Sequence, residues 1–151
     1  MAFFQKTTKT VRICSLNFLY NLEILAAFFT MTLNAFVFQP QELFDGIAGP
    51  RIQRQVVQCL AQNPDVILID FEQVKFIDSI GLGALVGALK HVNDSGKQLY
   101  LCSLCEQASA MFKLTSMEQV FTIFSDRQAF ERSVLNRQIS KRQQTIIQRA
   151  A

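Results

Sequence analysis

Val66-Ile67-Leu68-Ile69-Asp70, a short link, and then Phe76-Ile77-Asp78-Ser79-Ile80-Gly81-Leu82-Gly83 form the stretch that decides the fold of this 151-residue chain. The first piece is an unbroken apolar run rich in branched residues, the pattern of a central strand covered on both faces. The link reads as a loop, and the second piece as a serine placed where a helix begins. A helix N-terminus leaves backbone N–H groups without intrahelical partners and favours negative charge. A hydroxyl exposed there is a suitable place to add or remove a phosphate.

Working outward, the pattern alternates between strands and helices. Leu33 to Phe38 predicts a first strand, ended by Gln39-Pro40, and Leu43-Phe44-Asp45-Gly46 adds a turn or short strand. Gly49-Pro50 opens a helix with proline in its first turn, where the missing N–H costs little. Ile52, Val56, Val57 and Leu60 recur along it at helical spacing. Leu82, Leu85, Val86, Leu89 and Val92 give the next helix its apolar stripe. Gly83, Ala84, Gly87 and Ala88 leave part of that helix nearly bare, so it can lie close to neighbouring backbone. Gln98 to Cys102 is the next strand, Glu106 to Leu114 a third helix and Val120 to Phe124 a final strand. Asp126 caps a last helix through Val134, with Phe130 and Val134 facing the sheet. Strands alternating with helices imply an α/β layer structure.

The length suits one domain, and half of the residues are hydrophobic, enough for a sizeable core built on 14 phenylalanines. The net charge of +3 is unevenly spread. Residues 1–30 carry three basic groups against one acid, residues 31–135 eight against eleven, and residues 136–151 four against none. The folded middle is therefore acidic, which argues against direct nucleic-acid binding, since that needs clustered positive charge on a folded face. The basic tail (Arg137, Lys141, Arg142, Arg149) reads as a solvated end. Residues 1–30 read as a non-domain extension. Met31 could itself begin a protein, and an amphipathic helix or a targeting segment are the other readings of this stretch. Asn17, Asn21 and Glu23 interrupt its apolar part, so no tract is a confident membrane span.

The chemistry on offer is thin. Cys102-Ser-Leu-Cys105 has C-x-x-C spacing, but a structural zinc site needs about four ligands. Cys102 fits better as a small buried hydrophobe closing a strand. The single histidine, His91, falls mid-helix, a poor place for a nucleophile's base. Asp70, Glu72 and Asp78 are close in sequence, yet strand ends and loops commonly carry acids. Gly81-Leu-Gly83 is too short for a phosphate-cradling fingerprint. These residues predict no enzyme, no cofactor and no metal. For Ser79 two readings stand side by side, a helix cap, a task Asp78 could share, and a phosphoacceptor.

From about Met31 to Leu135 the chain resembles a STAS domain of the anti-sigma factor antagonist type. Matching pieces are Asp45-Gly46, Val66 to Asp70, Val74 through Leu85 with its D-S-x-G-L-G core, Gly96-Lys97-Gln98-Leu99, Met111-Phe112-Lys113-Leu114, Val120-Phe121 and Ile123-Phe124. The resemblance implies a single domain with a mixed sheet of four to five strands flanked by about four helices. It also implies a cytoplasmic, non-enzymatic bacterial regulator that works by partner switching. The dephosphorylated form binds an anti-sigma factor that is also a serine kinase and frees a sigma factor. Phosphorylation at Ser79 releases it, and a PP2C-type phosphatase restores it. Asp78, Ser79, Ile80, Gly81, Leu82 and Gly83 fall in the implied partner interface. Ile80 stands where the family usually has Ser or Thr, which makes the surface beside Ser79 more apolar. The short segment Phe44 to Pro50 implies a reduced second strand. The alternatives are a STAS subunit of a membrane lipid- or anion-transport system, or a STAS regulator of a non-transcriptional target.

Overall fold

The computed structural model describes residues 3–10 and 32–135, with residues 137, 144, 145, 148 and 149 of the tail. Its strands are β1 (Phe3–Thr10), β2 (Thr32–Gln39), β3 (Glu42–Phe44), β4 (Val66–Asp70), β5 (Val74–Ile77), β6 (Leu99–Cys102) and β7 (Thr122–Phe124). Its helices are α1 (Ala48–Leu60), α2 (Ser79–Asp94), α3 (Glu106–Leu114) and a short α4 (Arg127–Phe130) that continues as a π-turn over Glu131–Leu135.

The main sheet has the order β1-β2-β4-β6-β7. Strands β2, β4, β6 and β7 are parallel, and β1 pairs antiparallel with β2 from Phe3↔Gln39 to Thr10↔Thr32. This is a mixed α/β sheet of five strands with four α-helices among the described residues, matching the fold expected. Pleating sends alternate residues to opposite faces. Phe36, Phe38, Ile67, Ile69, Leu99 and Leu101 pack on one face against Ile52, Val56, Leu82, Leu85 and Phe112 from α1, α2 and α3. Ala35, Val37, Val66, Leu68 and Cys102 pack on the other against Phe130 and Val134. Every residue of β4 is buried, as its unbroken apolar run requires.

The link between Val66–Asp70 and Asp78 is not a simple loop. Val74–Ile77 is a strand that pairs in parallel with β3 in a separate two-stranded sheet. Strand β3 has three residues, in line with the short segment before α1. On α1 the inward line is Ile52, Val56 and Cys59, at i, i+4 and i+7. Val57 lies one residue off that line and is exposed, not buried as expected. The final strand begins at Thr122, because Ser116 adopts a left-handed conformation (φ 58°) and Met117–Gln119 close a 3₁₀ turn. Ahead of Met31, Phe3–Thr10 forms β1, while residues 11–31 lie outside the described set. Most of the basic tail lies outside it too.

Candidate functional site

The first turn of α2 joins three elements. Asp78 has extended backbone (φ −105°, ψ 176°) and is the N-cap, and its Oδ1 accepts a 2.6 Å hydrogen bond from the Gly81 N–H. Asp78 N–H donates to the Phe44 carbonyl at 3.3 Å, which ties the turn to the end of β3. With the cap supplied by Asp78, Ser79 becomes the first helical residue and its side chain faces solvent. The capping bond that the sequence offered to either residue is thus made by Asp78.

The six motif residues divide by direction. Ser79, Ile80 and Gly83 are exposed, Asp78 is half-buried, and Gly81 and Leu82 are buried. Gly81 is required by contact: a Cβ there would run into the Phe44 carbonyl oxygen. A Cβ on Gly49 of α1 would come within 2.9 Å of the Gly81 Cα and 3.0 Å of the Ala84 Cβ. Three backbones thus meet where α1, β3 and α2 converge. Gly83, by contrast, has open space around its Cβ position. The close approach expected from the small residues of α2 is made by Gly81, Ala84 and Gly87, the last against Gln53, and not by Gly83.

Two supports of this corner were not legible in the sequence. Gln107 of α3 pairs its side-chain amide with the backbone of Ile77, accepting from Ile77 N–H at 3.0 Å and donating to Ile77 C=O at 3.1 Å. The Cys105 thiol donates to the Lys75 carbonyl at 3.5 Å. Together they do for the outer edge of β5 what a neighbouring strand would do. Asp45 is the second support. Its Oδ1 accepts from the N–H groups of Ile47 and Ala48, both at 2.9 Å, and so caps α1 beside Ile80. Those two N–H bonds hold the Asp45 carboxyl below its ordinary value of 3.8.

The remaining sequence candidates stand apart. Asp70 is buried on the opposite side of β4, accepting from Gln39 Nε2 and from Glu72 N–H, each at 3.1 Å. It forms no carboxylate pair with Asp78, which is engaged at its own cap. His91 is exposed on α2. Burial pushes the thiols of Cys59 and Cys102 up to about 12, so neither ionises near neutral pH. Among the described residues, no group of three His, Cys, Asp or Glu could hold a metal ion.

Comparison with known proteins places this fold in a family. The profile of the STAS domain matches residues 30–130. The chain belongs to the STAS domain family. A curated relative, the anti-sigma-B factor antagonist of Staphylococcus aureus (strain NCTC 8325 / PS 47), is 32% identical over 57 residues, covering 38% of this chain and 53% of the relative. The chain thus spans about half the length of the curated relatives it matches first. Among solved structures, an anti-sigma factor antagonist assigned in Thermotoga maritima superposes with a TM-score of 0.61 at 22% identity, covering 66% of this chain and 86% of that one. The unphosphorylated form of the Bacillus anti-sigma factor antagonist SpoIIAA gives 0.56 at 18% identity, covering 65% and 86%. The murine anion transporter Slc26a9 gives 0.58 at 12% identity, covering 84% of this chain and 21% of the transporter. At these identities the structural likeness establishes the STAS fold.

Proposed function

We propose that this STAS protein is an anti-sigma factor antagonist whose binding is controlled by phosphorylation of Ser79. The observation that carries the reading is the division of labour in the α2 turn. Asp78 makes the cap, and Ser79 is left exposed among helix N-terminal N–H groups. A phosphate on Ser79 would add roughly −1.5 to −2 charges at neutral pH, at the end of the helix dipole that favours them. The fold should tolerate it, and a partner packed on Ser79 should not. The modification then acts on association and leaves stability nearly unchanged.

In this reading the protein is a non-enzymatic cytoplasmic regulator. The dephosphorylated form engages an anti-sigma factor with serine-kinase activity and frees a sigma factor, the kinase then phosphorylates Ser79, and a PP2C-type phosphatase reverses the mark. The contact surface is Ser79, Ile80 and Gly83 with the exposed part of Asp78, while Gly81 and Leu82 serve it by holding its backbone. The curated antagonist relatives support this over the alternative, a STAS subunit of a membrane lipid- or anion-transport system. No helix of the described residues is long and apolar enough to cross a membrane.

Pull-down from native lysate with the unmodified protein and Ser79→Asp separates the two. Capture of a histidine-kinase-like ATPase by the unmodified form alone is the expected result. Transport-complex subunits captured equally by both forms would favour the alternative.

A further inference from the structure

Gln107 and Ser109 stand about 200° apart around α3, at 3.6 residues per turn. Gln107 holds β5, while Ser109 lines a cavity of about 390 Å³ between α3, the 3₁₀ turn Met117–Gln119 and β7. The floor of the cavity is apolar. Phe112 and Phe121 are buried there with ring centroids 5.7 Å apart in an edge contact, and Ile123 is half-buried beside them. The rim is polar. Glu118 is exposed, and it is the one charged side chain among the described residues that line the cavity. Ser125 donates its hydroxyl proton to Asp126 Oδ2 at 3.0 Å, which leaves its lone pairs to accept. The hydroxyl of Ser109 can turn either way. The cations nearest in sequence, Lys113 and Arg127, are not lining residues, and Arg127 lies 3.6 Å from Glu131. The wall that carries Glu118 follows Ser116, whose left-handed backbone (φ 58°) is one that few non-glycine residues adopt. Strained backbone of this kind gathers at ligand clamps.

We propose that this cavity binds a small molecule with an aromatic or branched apolar body that ends in an ammonium group. Its volume falls toward the lower end of the roughly 300–1,000 Å³ of small-molecule sites, which share the plan of an apolar lining with a few convergent polar groups. The floor takes the apolar body, and Phe112 and Phe121 offer ring edges and faces to an aromatic one. The rim selects the polar end. The Glu118 carboxylate and the Ser125 lone pairs both accept, so an ammonium is held by a charge-assisted hydrogen bond, whereas a ligand carboxylate or phosphate would meet acceptors on both sides. None of the lining residues belongs to the Ser79 corner, so the site stands or falls apart from phosphorylation.

The test is NMR titration of the ¹⁵N-labelled full chain with phenethylammonium and with hydrocinnamate, which share a ring and a short chain and differ in the charge at the end. Phenethylammonium should shift the amides around Phe112, Glu118 and Ile123 and bind roughly ten-fold tighter than hydrocinnamate. Glu118→Gln should remove most of that preference and leave the binding of neutral phenethyl alcohol unchanged. Ser109→Phe sets a ring in the cavity and should abolish binding of all three, with the rest of the spectrum unaltered. Equal binding of the amine and the carboxylate, shifts mapping elsewhere, or no binding of the amine at millimolar concentration would overturn the proposal. So would a Glu118→Gln protein that keeps the full preference. Should Ser109→Phe disturb the fold, Glu118→Gln, at an exposed position, still decides the outcome.

Discussion

The inward and outward faces of α2 run the same length and share one six-residue motif, yet they do opposite things. Inward, Gly81, Leu82, Leu85, Ala88 and Val92 are buried against the sheet, α1 and β3. Outward, Ser79, Ile80, Gly83, Val86 and Lys90 make no part of the core. The inward residues locate the turn to within a contact distance, and the outward ones inherit that placement. A binding surface set on a rigid corner can therefore change its chemistry without changing its shape.

The comparison can be broken most severely from the inside. Leu82→Asp would bury a carboxylate in the apolar cluster, and a loss of more than about 3 kcal/mol is expected in denaturant unfolding. An unchanged midpoint would put Leu82 on the surface. Gly81→Ala comes next, since its Cβ meets the fixed Phe44 carbonyl and not a flexible side-chain tip. A cost of about 1–3 kcal/mol is expected. The same change at Gly83 sharpens the contrast: with open space around it, Gly83→Ala should stabilise by roughly 0.5–1 kcal/mol through helix propensity. Equal effects at the two glycines would contradict the inward–outward division. Asp78→Ala removes the cap and should cost about 1 kcal/mol.

The smallest effect is on the acid limb of the stability profile. The carboxyl of Asp45 is lowered in the folded protein from its ordinary value of 3.8. Its contribution is therefore present above that value and is lost as pH falls through the lower folded one. Asp45→Asn should flatten stability against pH below that point and leave the slope near neutrality unaltered. A change confined to neutral pH would assign the capping role elsewhere.

Much of this was legible in the residues. The apolar run of β4 and the stripe of α2 announce a sheet and the helix lying on it, and Glu106–Leu114 has the bounds its pattern predicts. Strand β5 was hidden because Val74 and Ile77 are buried while Lys75 and Phe76 between them are exposed, so no period-2 alternation marks it. Its edge is satisfied by Gln107, a neutral side chain 30 residues away, and nothing local signals such a contact. The exposure of Ser79 was readable only as one of two options. That the cap falls to Asp78 became visible only with its Oδ1 reaching the Gly81 N–H.

The central claim is that Ser79 is modified and that the modification alters binding without altering the fold. The most direct measurement is phosphosite mapping by mass spectrometry on the protein isolated from native cells, with thermal melting of the phosphorylated and unphosphorylated fractions. A phosphate on Ser79 and coincident melting curves are the predicted result. A phosphate found only at other residues, or one at Ser79 that unfolds the domain, would contradict the account.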